Sequence, residues 1–139
     1  MRSRAGFTII ELMLVIVIIG LLMGIAIPNF LSMQARAREA RVHWNAHSLQ
    51  MSAEDFAAQN NSIYATDFTT LLPNGQALLD LIPLPLENPF DPAAIAVVDA
   101  PPVNDGEVGY DTTGRVGVGY EIVGLGRSAA IVTTLTNGL

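Results

Sequence analysis

Polar and apolar positions divide the chain into three stretches. Phe7–Ile27 is 21 residues long and carries a single charge, Glu11. A helix of that length spans about 30 Å, the thickness of a bilayer's hydrocarbon core. After Pro28 the pattern becomes amphipathic. Phe30, Met33, Ala37, Ala40 and Trp44, and likewise Val42, Ala46, Leu49, Ala53 and Phe56, recur at spacings of three and four. This predicts that the helix resumes with one broad apolar face and fades at the polar cluster Gln59-Asn60-Asn61-Ser62. From residue 7 to 59 it is expected to run roughly 80 Å.

The third stretch changes period. Residues 60–107 hold seven of the eight prolines and read as loops. Within them, Asp67–Leu72 predicts a short helical turn capped by Thr66 or Asp67. Leu78–Leu84 predicts a short helix or packed apolar loop, and Ile95–Val98 an edge strand. Residues 108–135 predict an antiparallel meander. Its first strand, Val108–Thr112, is followed by the turn Thr113-Gly114-Arg115. Val116, Val118, Tyr120 and Ile122 then alternate with Gly117, Gly119 and Glu121. A second turn, Gly124-Leu125-Gly126-Arg127, leads into Ala129–Leu135. The sheet is expected to pack on the helix stripe at 42–56 and to bury Trp44 or Phe56. Gly117 and Gly119 are expected to leave room for the helix or another strand. The fold class expected is α+β: a long N-terminal helix on a small antiparallel β-sheet.

Composition sharpens this picture. Charged residues are only 14% of the chain, against about 25% in a typical soluble domain. The deficit lies almost wholly in residues 7–31. There is no cysteine, which excludes disulfides, thiolate metal sites and thiol nucleophiles. Net charge is −6, and the seven basic residues are all arginine: Arg2, Arg4, Arg36, Arg38, Arg41, Arg115 and Arg127. From residue 51 onward eleven acidic residues face two arginines, a balance of −9. Such a surface repels phosphates, so the globular part is not expected to bind nucleic acid. No phosphate-cradling loop, serine elbow or other catalytic set is present, and the chain is not expected to be an enzyme. His43 and His47 are four apart, but Trp44 stands where a His-Glu-x-x-His site has its glutamate. Half-exposed helix histidines are the expectation there.

Glu11 is the residue that most needs an explanation, because an acid inside a spanning helix is costly without a partner. A cleaved secretory signal has an apolar run of 7–15 residues and a small-x-small end, and neither is found here. A plain anchor would leave Glu11 unmatched. A cut between Gly6 and Phe7 supplies the match. The new amine lies one helical turn before Glu11, and pairing one chain's amine with the next chain's carboxylate would fix the axial register. Repeated head to tail, such a contact builds an open helical polymer. Arg2 and Arg4 place the N-terminus on the cytoplasmic side.

The segment Gly6-Phe7-Thr8-Ile9-Ile10-Glu11-Leu12-Met13, an Ile/Val/Leu run, and then Ala26-Ile27-Pro28-Asn29-Phe30 resembles the N-terminus shared by type IV pilins and type II secretion pseudopilins. The resemblance covers roughly residues 5–30. It implies that Gly6 ends a leader read by a membrane-embedded prepilin peptidase. It implies that Phe7 becomes the N-methylated first residue, and that Glu11 serves assembly and methylation. Many relatives have a basic residue directly before the glycine, whereas here Arg4-Ala5 precedes Gly6. The implied parts are a leader at 1–6, a transmembrane and assembly helix at 7–29, and an exported globular domain at 30–139. In related filaments the backbone between a glycine and the proline can unwind, which makes Gly20–Pro28 a candidate to extend in the fibre. The alternatives are a kink at Pro28 or small residues that allow close helix packing.

The partners implied are further copies of the chain, the peptidase, an inner-membrane assembly platform with its ATPase, and membrane lipid before assembly. The implied location is the inner membrane, single-pass with the C-terminal domain outside, and then an extracellular or periplasmic filament. The function implied is a pilus subunit for adhesion, motility or DNA uptake. The alternative is a major pseudopilin of a type II secretion system, toward which the missing cysteines lean. Arg36, Arg38 and Arg41 are candidates to meet acidic neighbours or lipid headgroups, or simply to be solvated. Calcium is the one candidate cofactor. Asp105, Glu107 and Asp111, near Asn88-Pro89-Phe90-Asp91-Pro92, offer hard oxygen ligands on loops. Solvated turn residues are the alternative.

Overall fold

The computed structural model describes residues 6–83 and 85–137. The leader positions 1–5, including Arg2 and Arg4, lie outside the described residues, as does Leu84 of the expected 78–84 segment. The first element, α1, is one helix from Ile9–Gln59, ending at the polar cluster where the sequence pattern stops. The chain divides into two compact units, Met1–Arg36 and Ala37–Leu139.

In the first unit, α1 is exposed all round through its apolar run. Among the described residues α1 is the one helix long and apolar enough to cross a membrane. Pro28 lies inside the helix. Its missing N–H deprives the carbonyl four residues back, at Gly24, of its usual donor. Neither Gly20 nor Gly24 has any neighbour within 4 Å of where a Cβ would stand.

The second unit forms around the apolar stripe of α1. Val42, Ala46, Leu49, Ala53 and Phe56 are fully buried. They meet a four-stranded sheet in the order β1 (Val97–Val98), β2 (Val108–Asp111), β3 (Glu121–Leu125) and β4 (Ile131–Thr136). A short helix, α2 (Leu78–Leu81), closes one side, and the Ser52 hydroxyl donates to the Leu81 carbonyl at 3.0 Å. Four aromatic rings run through the core. Phe68, Tyr110, Tyr120 and Tyr64 are successively 5.9, 5.8 and 5.2 Å apart, centre to centre.

Several sequence expectations need correction. The sheet is mixed rather than antiparallel, because β1 runs parallel to β2. Residues 99–107 carry the chain back to restart alongside β1, as a parallel pair requires. Residues 116–119 are not strand. Val118 and Gly119 both donate to the Arg115 carbonyl, Gly117 has φ +71°, and Val116 and Val118 face outward. The local turns outcompete the alternation, so β3 begins only at Glu121. The second turn also falls later than expected, since Gly124 and Leu125 belong to β3 and the chain reverses at Gly126–Ala130.

The glycine that gives the helix clearance is therefore Gly124. A Cβ there would stand 2.7 Å from Val42 Cγ1, whereas at Gly119 it would meet Asn137. Trp44 is not buried. It is 58% exposed, while Phe56 is fully buried. The turn expected at Asp67 is present, with the Asp67 carboxylate accepting from the Thr69 N–H at 2.8 Å.

Candidate assembly site and the acidic loops

The start of α1 is built from Thr8 and Glu11. The Thr8 hydroxyl accepts from the Glu11 N–H at 3.3 Å, and Glu11 Oε2 accepts from the Thr8 N–H at 2.9 Å. The Thr8 hydroxyl also donates to the same oxygen at 2.8 Å. This is a capping box, in which each residue satisfies a donor that the helix end leaves open. It holds the carboxylate beside the backbone of Thr8, one residue from the nitrogen that a cut after Gly6 would free. Thr8 itself was readable, since Thr-x-x-Glu before an apolar run is the sequence signature of such a box. The structure brings Glu11 against Thr8, the residue that follows Phe7. Gly20 and Pro28 stand farther along the same helix.

The calcium candidates are placed differently. The Asp105 carboxylate accepts from the Ala129 N–H at 2.8 Å and the Ser128 N–H at 2.9 Å. These two residues have φ of +53° and +59°, so one carboxylate pins a pair of strained residues at the turn before β4. Glu107 accepts from the N–H groups of Val103 and Asn104 at 2.9 Å and from the Asn104 side chain at 2.6 Å. Asp111 accepts from the hydroxyl and N–H of Thr113. Each carboxylate thus organises its own turn. Among the described residues no three His, Asp or Glu side chains converge on one point. His43 and His47 are exposed, with His47 Nδ1 3.3 Å from Gln50 Oε1.

These donors pull all three carboxyls below their ordinary range. For Asp105 the Ala129 N–H acts most strongly, and for Asp111 the Thr113 hydroxyl. For Glu107 burial pushes upward, but the Asn104 and Val103 donors outweigh it. A carboxyl lowered on folding contributes stability above its unfolded value of about 4, and that stability is lost as the pH falls through the folded value. The melting temperature should therefore hold level from about pH 7 to pH 5 and drop below about pH 4. Replacing Asp105 by Asn should flatten that drop, and an unchanged acid limb would contradict the assignment.

The sequence placed the Asn88 loop near these acids but gave no sign that Asn88 is the hydrogen-bonding centre of the region. Its side chain is 1% exposed. It donates to the Asp105 carbonyl at 2.9 Å and the Ile95 carbonyl at 3.4 Å, and accepts from the N–H groups of Phe90 and Asp91. Gly106 is fitted against it with φ +82°, and a Cβ there would lie 2.1 Å from Asn88 Oδ1. Asn88→Ala leaves four partly buried backbone groups without their partner and should cost about 2 kcal/mol. Urea unfolding of the detergent-solubilised chain checks it, and a loss below about 1 kcal/mol would contradict the role.

Comparison with known proteins bears on the N-terminal half. Residues 1–27 match the prokaryotic N-terminal methylation motif. The chain is 43% identical over 60 residues to the type IV major pilin protein PilA of Myxococcus xanthus, covering 43% of this chain and 27% of that one. It is 37% identical over 75 residues to the type IV narrow pilus major component PilA5 of Thermus thermophilus, covering 54% and 64%. It is also 35% identical over 66 residues to the type II secretion system core protein G of Vibrio cholerae, covering 48% and 44%. The match thus spans between 27% and 64% of these relatives' own lengths. No solved structure matches.

Proposed function

We propose that this chain is a structural subunit of a type IV pilus-like filament, freed from its leader by a cut between Gly6 and Phe7. The observation that carries the reading is Glu11, held by Thr8 at the head of a helix that is apolar and exposed all round. In the bilayer the new Phe7 amine and the Glu11 carboxylate each lack water. Between copies, the amine of one chain and the carboxylate of the next neutralise each other only in the correct register.

Methylation of Phe7 keeps the amine cationic and so preserves the pair. The Gly24 carbonyl left free by Pro28 marks where the helix parts most easily, and we place extension in the fibre between Gly20 and Pro28. Before assembly the chain sits in the inner membrane with its acidic domain outside. A prepilin peptidase, an assembly platform and an ATPase act on it there.

Relatives among the type IV pilins support this reading. The match to core protein G, together with the absence of cysteine, favours a second one, the major pseudopilin of a type II secretion system. Co-expression with the peptidase, platform and ATPase is expected to release filaments into the sheared fraction. Cleaved chains that stay wholly in the membrane would contradict both readings. Filaments that shorten when a retraction ATPase is added would favour the pilus.

We also infer that the domain holds no resident calcium, because the carboxylates of Asp105, Glu107 and Asp111 each organise a separate turn. Adding calcium or a chelator should leave the melting temperature unmoved, and a calcium-dependent rise would contradict this.

A further inference from the structure

The face of α1 turned away from the core carries two large uncovered side chains, Trp44 and Met51, the latter 73% exposed. With Ser48, Asp55, Leu81 and Pro83 they line a groove of about 470 Å³. Asp55 is exposed, and among the described residues it has neither a hydrogen-bond nor an ion-pair partner. Toward the N-terminus of the same helix the charge is reversed. Arg36 and Arg38 are exposed without a carboxylate partner among the described residues, where the one ion pair is Arg41 with Glu87 at 2.9 Å. The Arg38 guanidinium lies 5.9 Å above the Phe90 ring. Stacking occupies the plane of the fork and leaves its N–H edge free for a carboxylate.

We propose that the groove at Trp44, Met51 and Asp55 receives the Arg36–Arg38 segment of a second copy, with Asp55 as the arginines' counter-ion. The partner is set by charge. From residue 51 onward the chain is strongly acidic, and outside the leader its cations are five arginines, three of them at 36–41. The pair cannot close within one chain, because Arg38 and Asp55 are 17 residues apart on one helix, or about 26 Å. Ala37 and Ala40, beside the arginines, let a second helix approach closely, and Trp44 supplies a large apolar anchor. The contact is heterologous: each copy keeps one unused groove and one unused arginine segment, so it repeats without closing. It rests on the filament reading and adds a contact outside the membrane to the one at Glu11.

The test is charge exchange in the full chain, co-expressed with the peptidase and assembly machinery. Asp55→Arg alone, and Arg36→Asp with Arg38→Asp, should each lower the yield of sheared filaments at least about tenfold while leaving the melting temperature unchanged. The three substitutions together should restore the yield to within about threefold of the parent. Because the chain has no native cysteine, Asp55→Cys with Arg38→Cys gives a clean cross-linking pair. A short bismaleimide should produce a ladder of multimers from its filaments.

A triple variant no better than the single changes, or filaments without a ladder, would overturn the docking and leave the filament reading standing. So would arginine variants that lose retention on phosphatidylglycerol vesicles while Asp55→Arg assembles normally, which would assign the arginines to lipid. A parent chain that is never cut removes the filament reading and the docking with it, and intact mass identifies that case.

Discussion

Replacing Glu11 by Ala should abolish assembly while leaving the leader cut intact. The carboxylate is the one charge in the apolar run Phe7–Ile27, and the account gives it a single intermolecular partner, the Phe7 amine. Removing one member of a desolvated charge pair leaves the other buried and uncompensated, at a cost of about 2–5 kcal/mol. That corresponds to a fall of at least about thirtyfold in sheared filaments. Glu11→Gln separates charge from capping. Its carbonyl oxygen can still accept from the Thr8 N–H, so the helix start survives, but it offers no counter-charge. The account requires Gln to fail nearly as badly as Ala. If Gln assembles like the parent, Glu11 matters as a cap and the register argument is wrong.

The second large effect divides two aromatic residues of α1, Phe56 and Trp44. Phe56 is fully buried among Leu49, Tyr120 and their neighbours, whereas Trp44 projects outward. Phe56→Ala should cost about 3–5 kcal/mol. In a unit of this size that lowers the melting temperature by roughly 15–30 °C. Trp44→Ala should leave the melting temperature within about 3 °C of the parent, yet reduce filament yield, because it removes the anchor of the outer groove. Differential scanning calorimetry and the sheared fraction read the two effects separately. Equal melting losses would mean that Trp44 belongs to the core after all.

The contrast between these residues also shows what the sequence could reveal. Spacings of three and four identified the helix and its end at Gln59, because a helix face is a local property. The same spacings could not say which of two apolar stripes the domain would cover. Val42, Leu49 and Phe56 went inside, and Trp44 and Met51 did not. That choice depends on where the sheet lands, which only long-range packing decides. The meander was visible at β2 and β4 for the same local reason. It failed at Val116–Gly119, where alternation looked like strand but hydrogen bonds to Arg115 made turns.

The parallel pairing of β1 and the hub at Asn88 were illegible for another reason. Both join separate loop segments, Val97 with Val108 and Asn88 with Asp105, through backbone groups, which leave no mark on side-chain pattern. Glu11 was legible because an isolated acid in an apolar run is chemically expensive wherever the rest of the chain goes. The acidic loop residues were seen, but not their work. An Asp that pins two left-handed residues and an Asp that waits for a cation look alike in sequence.

The central claim, that this chain is matured into a helix bearing its charge pair at Phe7 and Glu11, is tested most directly by intact mass. The full chain would be co-expressed with a prepilin peptidase and the membrane fraction weighed. The account predicts loss of Met1–Gly6 and a gain of one methyl group on Phe7. A chain of unchanged mass, or one cut after residue 31, would contradict it.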